Sequence, residues 1–176
     1  MQSRIDTKRL VEMGILGALA LALSAIETVF MINIPLFPPG AKPGLANVVV
    51  MFTACTFGAG ATVYIIVLKS LFVLLTRGAS AFLMSLAGGV ISGIAVVFLL
   101  RMRLKSVGYI GISVLGAVLH NAAQLFMSML ITKTTGLIYY LPLLMICGIV
   151  SGLITGLIVA IVLPRIQKVL KEQKVC

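Results

Sequence analysis

Three polar side chains interrupt an otherwise apolar run: His120, Asn121 and Gln124. At membrane depth such groups are costly and by default mark function. His120 and Gln124 are four apart, so on a helix they share a face with Gly116 and Ser128. The plain structural alternative is a polar clamp, with His120 bonded to a neighbouring helix and nothing more. Other polar groups fall at the same level. Glu27 and Asn33 lie at the end of the first apolar run, Lys42 follows it, and Asn47 begins the second. Arg77 ends the third, and Tyr139 and Tyr140 open the sixth, where tyrosines also serve as interfacial anchors. Lys69 is mid-run, placed to pair with Glu27 or to snorkel. Together these residues predict one outward-facing pocket, mostly apolar, with a few directing polar groups. Lys42, Lys69, Arg77 and Lys133 outweigh Glu27 there, so the expected ligand is a partly apolar small molecule carrying an anionic group.

Bond-breaking chemistry finds no such residues. The chain has a single Asp, Asp6, and no carboxylate cluster of the kind that holds Mg²⁺ for diphosphate chemistry. It lacks the Gly-x-x-x-x-Gly-Lys-Ser/Thr loop of ATP-binding proteins, a nucleophile elbow and a zinc motif. Cys55, Cys147 and Cys176 fit neither a metal site nor a disulfide framework. No catalytic residue, metal or cofactor is therefore expected.

The elements that must position the polar residues follow from composition. Of 176 residues 61% are hydrophobic and 10% charged, with a mean hydropathy of +1.21. A soluble domain carries about 45–50% apolar and about 25% charged residues, so a soluble globular enzyme is excluded. A spanning helix takes about 20 apolar residues. The expected fold is an all-α integral membrane protein, one domain over 1–176, with six transmembrane helices near 10–32, 45–59, 61–76, 79–100, 107–131 and 137–163. Pro35, Pro38, Pro39 and Gly40 end the first. Gly58-Ala59-Gly60 divides 45–76, which is too long for one span. Pro164-Arg165 closes the last.

The net charge of +10 would elsewhere suggest a nucleic-acid partner. Here it sets orientation instead, and no nucleic acid is expected. With both termini cytoplasmic, the inner groups are Arg4, Lys8 and Arg9; Arg101, Arg103 and Lys105; and Arg165, Lys168, Lys171 and Lys174. Those are ten of the fourteen basic residues, as the positive-inside rule requires. His120 then lies about 20 Å up its helix, in the outer half.

Small residues four apart favour close helix packing in lipid. Such stripes are Gly14, Ala18, Ala22; Ser85, Gly89, Gly93 with Ala81; and Gly148, Gly152, Gly156, Ala160. Internal packing is the reading for the later two. For the first, docking of a partner is an equal alternative, because so small a bundle has few internal neighbours to offer.

Four ordered segments carry a family resemblance. They are Pro39-Gly40-Ala41-Lys42-Pro43-Gly44-Leu45-Ala46-Asn47, Ser85-Leu86-Ala87-Gly88-Gly89, Gly116-Ala117-Val118-Leu119-His120-Asn121-Ala122-Ala123-Gln124 and Tyr139-Tyr140-Leu141-Pro142. Over about residues 10–163 the chain resembles the Gx transporter family, whose members often carry the label heptaprenyl diphosphate synthase component I. That family is similar to the substrate-binding S components of energy-coupling factor (ECF) transporters. The resemblance implies a multi-pass protein of a bacterial plasma membrane, bathed in membrane lipid, that captures a vitamin-like or cofactor-precursor molecule from outside. It also implies partners: a transmembrane T component and two cytoplasmic ATPases. Docking on the T component would use an Ala-x-x-x-Ala-like pattern on the first helix, matched by Ala18 and Ala22 with Gly14 one turn earlier. A non-catalytic membrane subunit of polyprenyl diphosphate synthesis is the alternative. A self-contained secondary transporter is disfavoured by the lack of a repeat between the two halves.

Overall fold

A computed structural model describes residues 7–33, 44–102 and 108–172. They form α1 (Thr7–Asn33), α2 (Leu45–Phe57), α3 (Ala59–Arg77), α4 (Ala79–Arg101), α5 (Tyr109–Thr132) and α6 (Leu141–Glu172), with a short 3-10 turn at Thr135–Tyr140 before α6. The protein is an all-α bundle of membrane type. Among the described residues, five stretches are long and apolar enough to cross a bilayer: Arg9–Val29, Ala59–Arg77, Ala79–Arg101, Tyr109–Thr132 and Thr135–Ile166. α2 is different. Its 13 residues reach about 20 Å, short of the roughly 30 Å hydrocarbon core.

The turns explain the boundaries. Gly58 (φ 80°) breaks α2 from α3, and Gly78 (φ 86°) breaks α3 from α4. Both sit in the left-handed region that residues with a Cβ avoid. One glycine, rather than the expected Gly58-Ala59-Gly60 segment, is enough to reverse the chain. Two other boundaries differ from expectation. Tyr139 and Tyr140 lie in the 3-10 turn ahead of α6 rather than opening it. Pro164 does not close α6, which runs on through it to Glu172. Proline's fixed φ suits a helix and removes one hydrogen bond, and the following Arg165-Ile166-Gln167-Lys168 continues as good helix former.

Although short, α2 is the centre of the bundle, packing against α1, α3, α4 and α6. One core cluster joins Met51 and Ala54 of α2 to Val96, Ile112, Val159 and Leu163. A second joins Val49 and Val50 to Ala20, Ile65 and Ile66. A third, Leu125 with Leu144, closes the α5–α6 end.

Packing of the small-residue stripes is unequal. On α6, a Cβ at Gly152 would lie 2.5 Å from Val114 Cα, and one at Gly156 2.6 Å from Ile110 Cα. The two backbones touch there, so only glycine fits. On α4, Gly89 and Gly93 receive Ile66 of α3, at 2.7 and 2.6 Å from the same hypothetical atom. On α1, Gly14 has nothing within 4 Å of that position, and Ala18 and Ala22 are exposed. The face that α1 buries is Gly17, Ala20, Ser24 and Glu27, at helical spacing.

Candidate functional site

The first turn of α2 lies within the bundle. Lys69, which it meets, is eight residues before the end of α3, or about 12 Å below it. Helix N-termini carry unpaired N–H groups and a partial positive charge. Here the side chain of Glu27, from α1, accepts the Ala46 N–H at Oε1 (3.1 Å). Gly44 (φ 76°) turns the chain into the helix, and its carbonyl accepts from Asn47 N (2.9 Å). Asn47 Oδ1 in turn accepts from Lys69 Nζ (2.8 Å). Lys69 is only 5% exposed. It has not snorkelled to an interface; a carboxamide on α2 holds it inside.

Around this turn the other helices supply small polar groups. Ser24, Ser85, His120, Asn121 and Ser151 line a cavity with Glu27, Asn47 and Lys69. The cavity leaves about 10 Å³ free, room for about one water. A second space of about 20 Å³ adjoins it between α2, α4, α5 and α6, sharing Gly44, Asn47, Ala117 and Ser151. The polar side chains are thus largely satisfied by one another. His120 Nδ1 lies 3.3 Å from Ser92 Oγ, Ser70 Oγ is 3.4 Å from Ser85 Oγ, and Asn121 Nδ2 donates to the Leu144 carbonyl (2.9 Å).

Of the residues expected to bind a ligand, Asn47, Lys69, His120 and Asn121 come together. Gln124 lies one turn along α5, against Gly88 of α4. It is 2% exposed, and neither atom of its amide has a partner among the described residues. Arg77 and Lys133 stand exposed at helix ends, and Tyr139, 85% exposed, and Tyr140 face outward. They do not line the cavity, because they sit above it on the bundle's rim. Lys42 lies outside the described residues, and Asn33 has no described side chain. The serines were missed. Ser24 was legible as one turn before Glu27, and Ser151 was hidden inside a glycine stripe that reads as packing.

No group of three or more His, Cys, Asp or Glu able to hold a metal occurs among the described residues. The family described as heptaprenyl diphosphate synthase component I matches residues 16–162. The chain belongs to that family. No curated protein and no solved structure matches it. The description names a component I, which points to a partner subunit in a complex. As a component I, the chain is not itself the enzyme, and Glu27, one of its four acidic residues, caps α2.

Proposed function

We propose that this component I family member is the substrate-binding S component of an ECF-type importer in a bacterial plasma membrane. In this reading all six helices cross or enter the bilayer as one domain, both termini are cytoplasmic, and the polar cavity faces outward. The ligand is a small vitamin-like or cofactor-precursor molecule. Energy comes from partners, a T component and two ATPases.

One observation carries the reading: α1 has two working faces. Its inner face sends Ser24 and Glu27 into the cavity, while its outer face leaves Gly14, Ala18 and Ala22 uncovered. A docking helix that also caps α2 would report partner engagement to the ligand site. Capture must part Asn47 from Lys69, since the closed cavity has room for about one water. Lys69 then meets an anionic group, and Asn47, His120, Asn121 and Gln124 direct the remainder. Lys42, Arg77, Tyr139 and Tyr140 belong to the entrance.

The test is uptake in proteoliposomes, with ligand first identified by mass spectrometry of molecules co-purifying with the chain. ATP-driven uptake should need the T component and both ATPases. Uptake by the chain alone would refute the reading. The family's description favours a second reading, a non-catalytic membrane subunit of heptaprenyl diphosphate synthesis. Prenyl transfer that rises when the chain is added to a reconstituted synthase would support it.

A further inference from the structure

We infer that the groove between α3 and α4 is a binding site for an anionic phospholipid. Thr62 and Ile66 lie on its α3 wall, Gly93 and Ile94 on its α4 wall, with Val90 at one end and Arg101 at the other. The groove holds about 420 Å³, against about 10 Å³ in the polar cavity. It exists because Gly93 has no side chain, which lets Ile66 form a floor. The one polar floor residue, Thr62, spends its hydroxyl on the Gly58 carbonyl (2.8 Å), so the surface offered is apolar.

Dimensions and charge select the occupant. From Arg101 to Val90 the α4 wall is twelve residues, eleven steps or about 16 Å. One leaflet of hydrocarbon is half of the roughly 30 Å core, or about 15 Å. An acyl chain entering beside Arg101 therefore reaches the bilayer midplane where the groove ends. Arg101 is exposed at the helix terminus, at the depth where that lipid's phosphate lies. Its guanidinium favours a headgroup with net negative charge over a zwitterion. Neither step depends on which leaflet this is or on the transport reading.

The experiment is native mass spectrometry of the full chain released from micelles doped with phosphatidylglycerol or phosphatidylcholine of equal acyl length. Wild type should retain phosphatidylglycerol about fivefold more than phosphatidylcholine. Arg101→Gln should reduce the two to equal retention, while Arg101→Lys keeps most of the preference. Ile94→Trp, at a groove residue 66% exposed, should fill the space and lower retention of both lipids without affecting folding. Equal retention of the two lipids by wild type would overturn the inference, as would phosphatidylglycerol retention unchanged in both Arg101→Gln and Ile94→Trp. So would a photo-crosslinker at position 94 that captures only protein in native membranes.

Discussion

Of the three helices that carry small residues at every fourth position, α1 and α6 use them in opposite ways. On α6, Gly148, Gly152 and Gly156 are buried against the α5 backbone. On α1, Gly14, Ala18 and Ala22 face away from the bundle. Spacing alone does not separate the cases; the neighbour does. α6 follows α5 through a short turn and lies along it. α1 meets α2 and α3 with a different face, rotated so that Gly17 rather than Ala18 points inward. A small-residue stripe is thus a capacity for close approach, and the fold decides whether it is spent internally or left for a partner.

The largest contrast should come from putting the same side chain on each stripe. Gly152→Leu drives carbon into backbone atoms that cannot rotate aside. Overpacking usually costs about 1–3 kcal/mol, and the 2.5 Å approach to Val114 Cα puts this case at or beyond the upper end. The expected result is loss of the folded protein from detergent extracts, read as aggregation on size-exclusion chromatography. Ala18→Leu, by contrast, should shift the melting temperature little, as exposed substitutions usually stay within about 0.5 kcal/mol. Equal melting temperatures for the two variants would mean that the two stripes are packed alike.

Ala18→Trp sharpens the α1 side. Folding and ligand retention should persist while co-purification with a T component is lost, because indole prevents close helix approach. Retained uptake in that variant would remove the docking role from this face.

The helices and their order were legible in the sequence because breakers and charges punctuate a long apolar chain. The depth of α2 was not. Leu45-Ala46-Asn47 reads as the start of a span, yet Asn47 meets Lys69 eight residues below the end of α3. Only the tertiary pairing reveals that offset. The site was legible in part for the same reason. Intramembrane His120, Asn121 and Lys69 stand out by cost, and they do converge. Arg77, Tyr139 and Tyr140 share with the cavity only a level along the sequence, and level does not distinguish a cavity wall from the rim above it. Serines are cheap in a helix and can hydrogen-bond to the preceding turn, as Ser151 does to the Gly148 carbonyl, so Ser151 left little signal, whereas Ser24 was legible only through its spacing from Glu27.

Within the polar layer a smaller effect distinguishes satisfied from unsatisfied groups. Lys69→Met leaves Asn47 Oδ1 without its donor and Glu27 without a nearby cation. Stranding a buried acceptor costs about 1–3 kcal/mol, so a clear drop in melting temperature is expected, together with loss of anionic ligand. Asn121→Leu, which removes the donor to the Leu144 carbonyl, should cost a similar amount. An unchanged melting temperature in both would mean that the described hydrogen bonds contribute nothing to the fold.

Gln124 should behave oppositely. Its amide is buried with no partner among the described residues, and an unmade hydrogen bond is the expensive kind. Replacing it by leucine, close in volume, removes a desolvation cost and breaks no described bond. Gln124→Leu is therefore expected to raise stability, by about 1 kcal/mol on that accounting. Residues kept at a cost to stability are commonly kept for function, so ligand retention should fall in the same variant. Higher stability with lower binding would make Gln124 a ligand group waiting inside the closed bundle. Higher stability with unchanged binding would confine the site to the cavity beside α2. Lower stability would show that the amide has a partner in the membrane, such as an ordered water between α4 and α5.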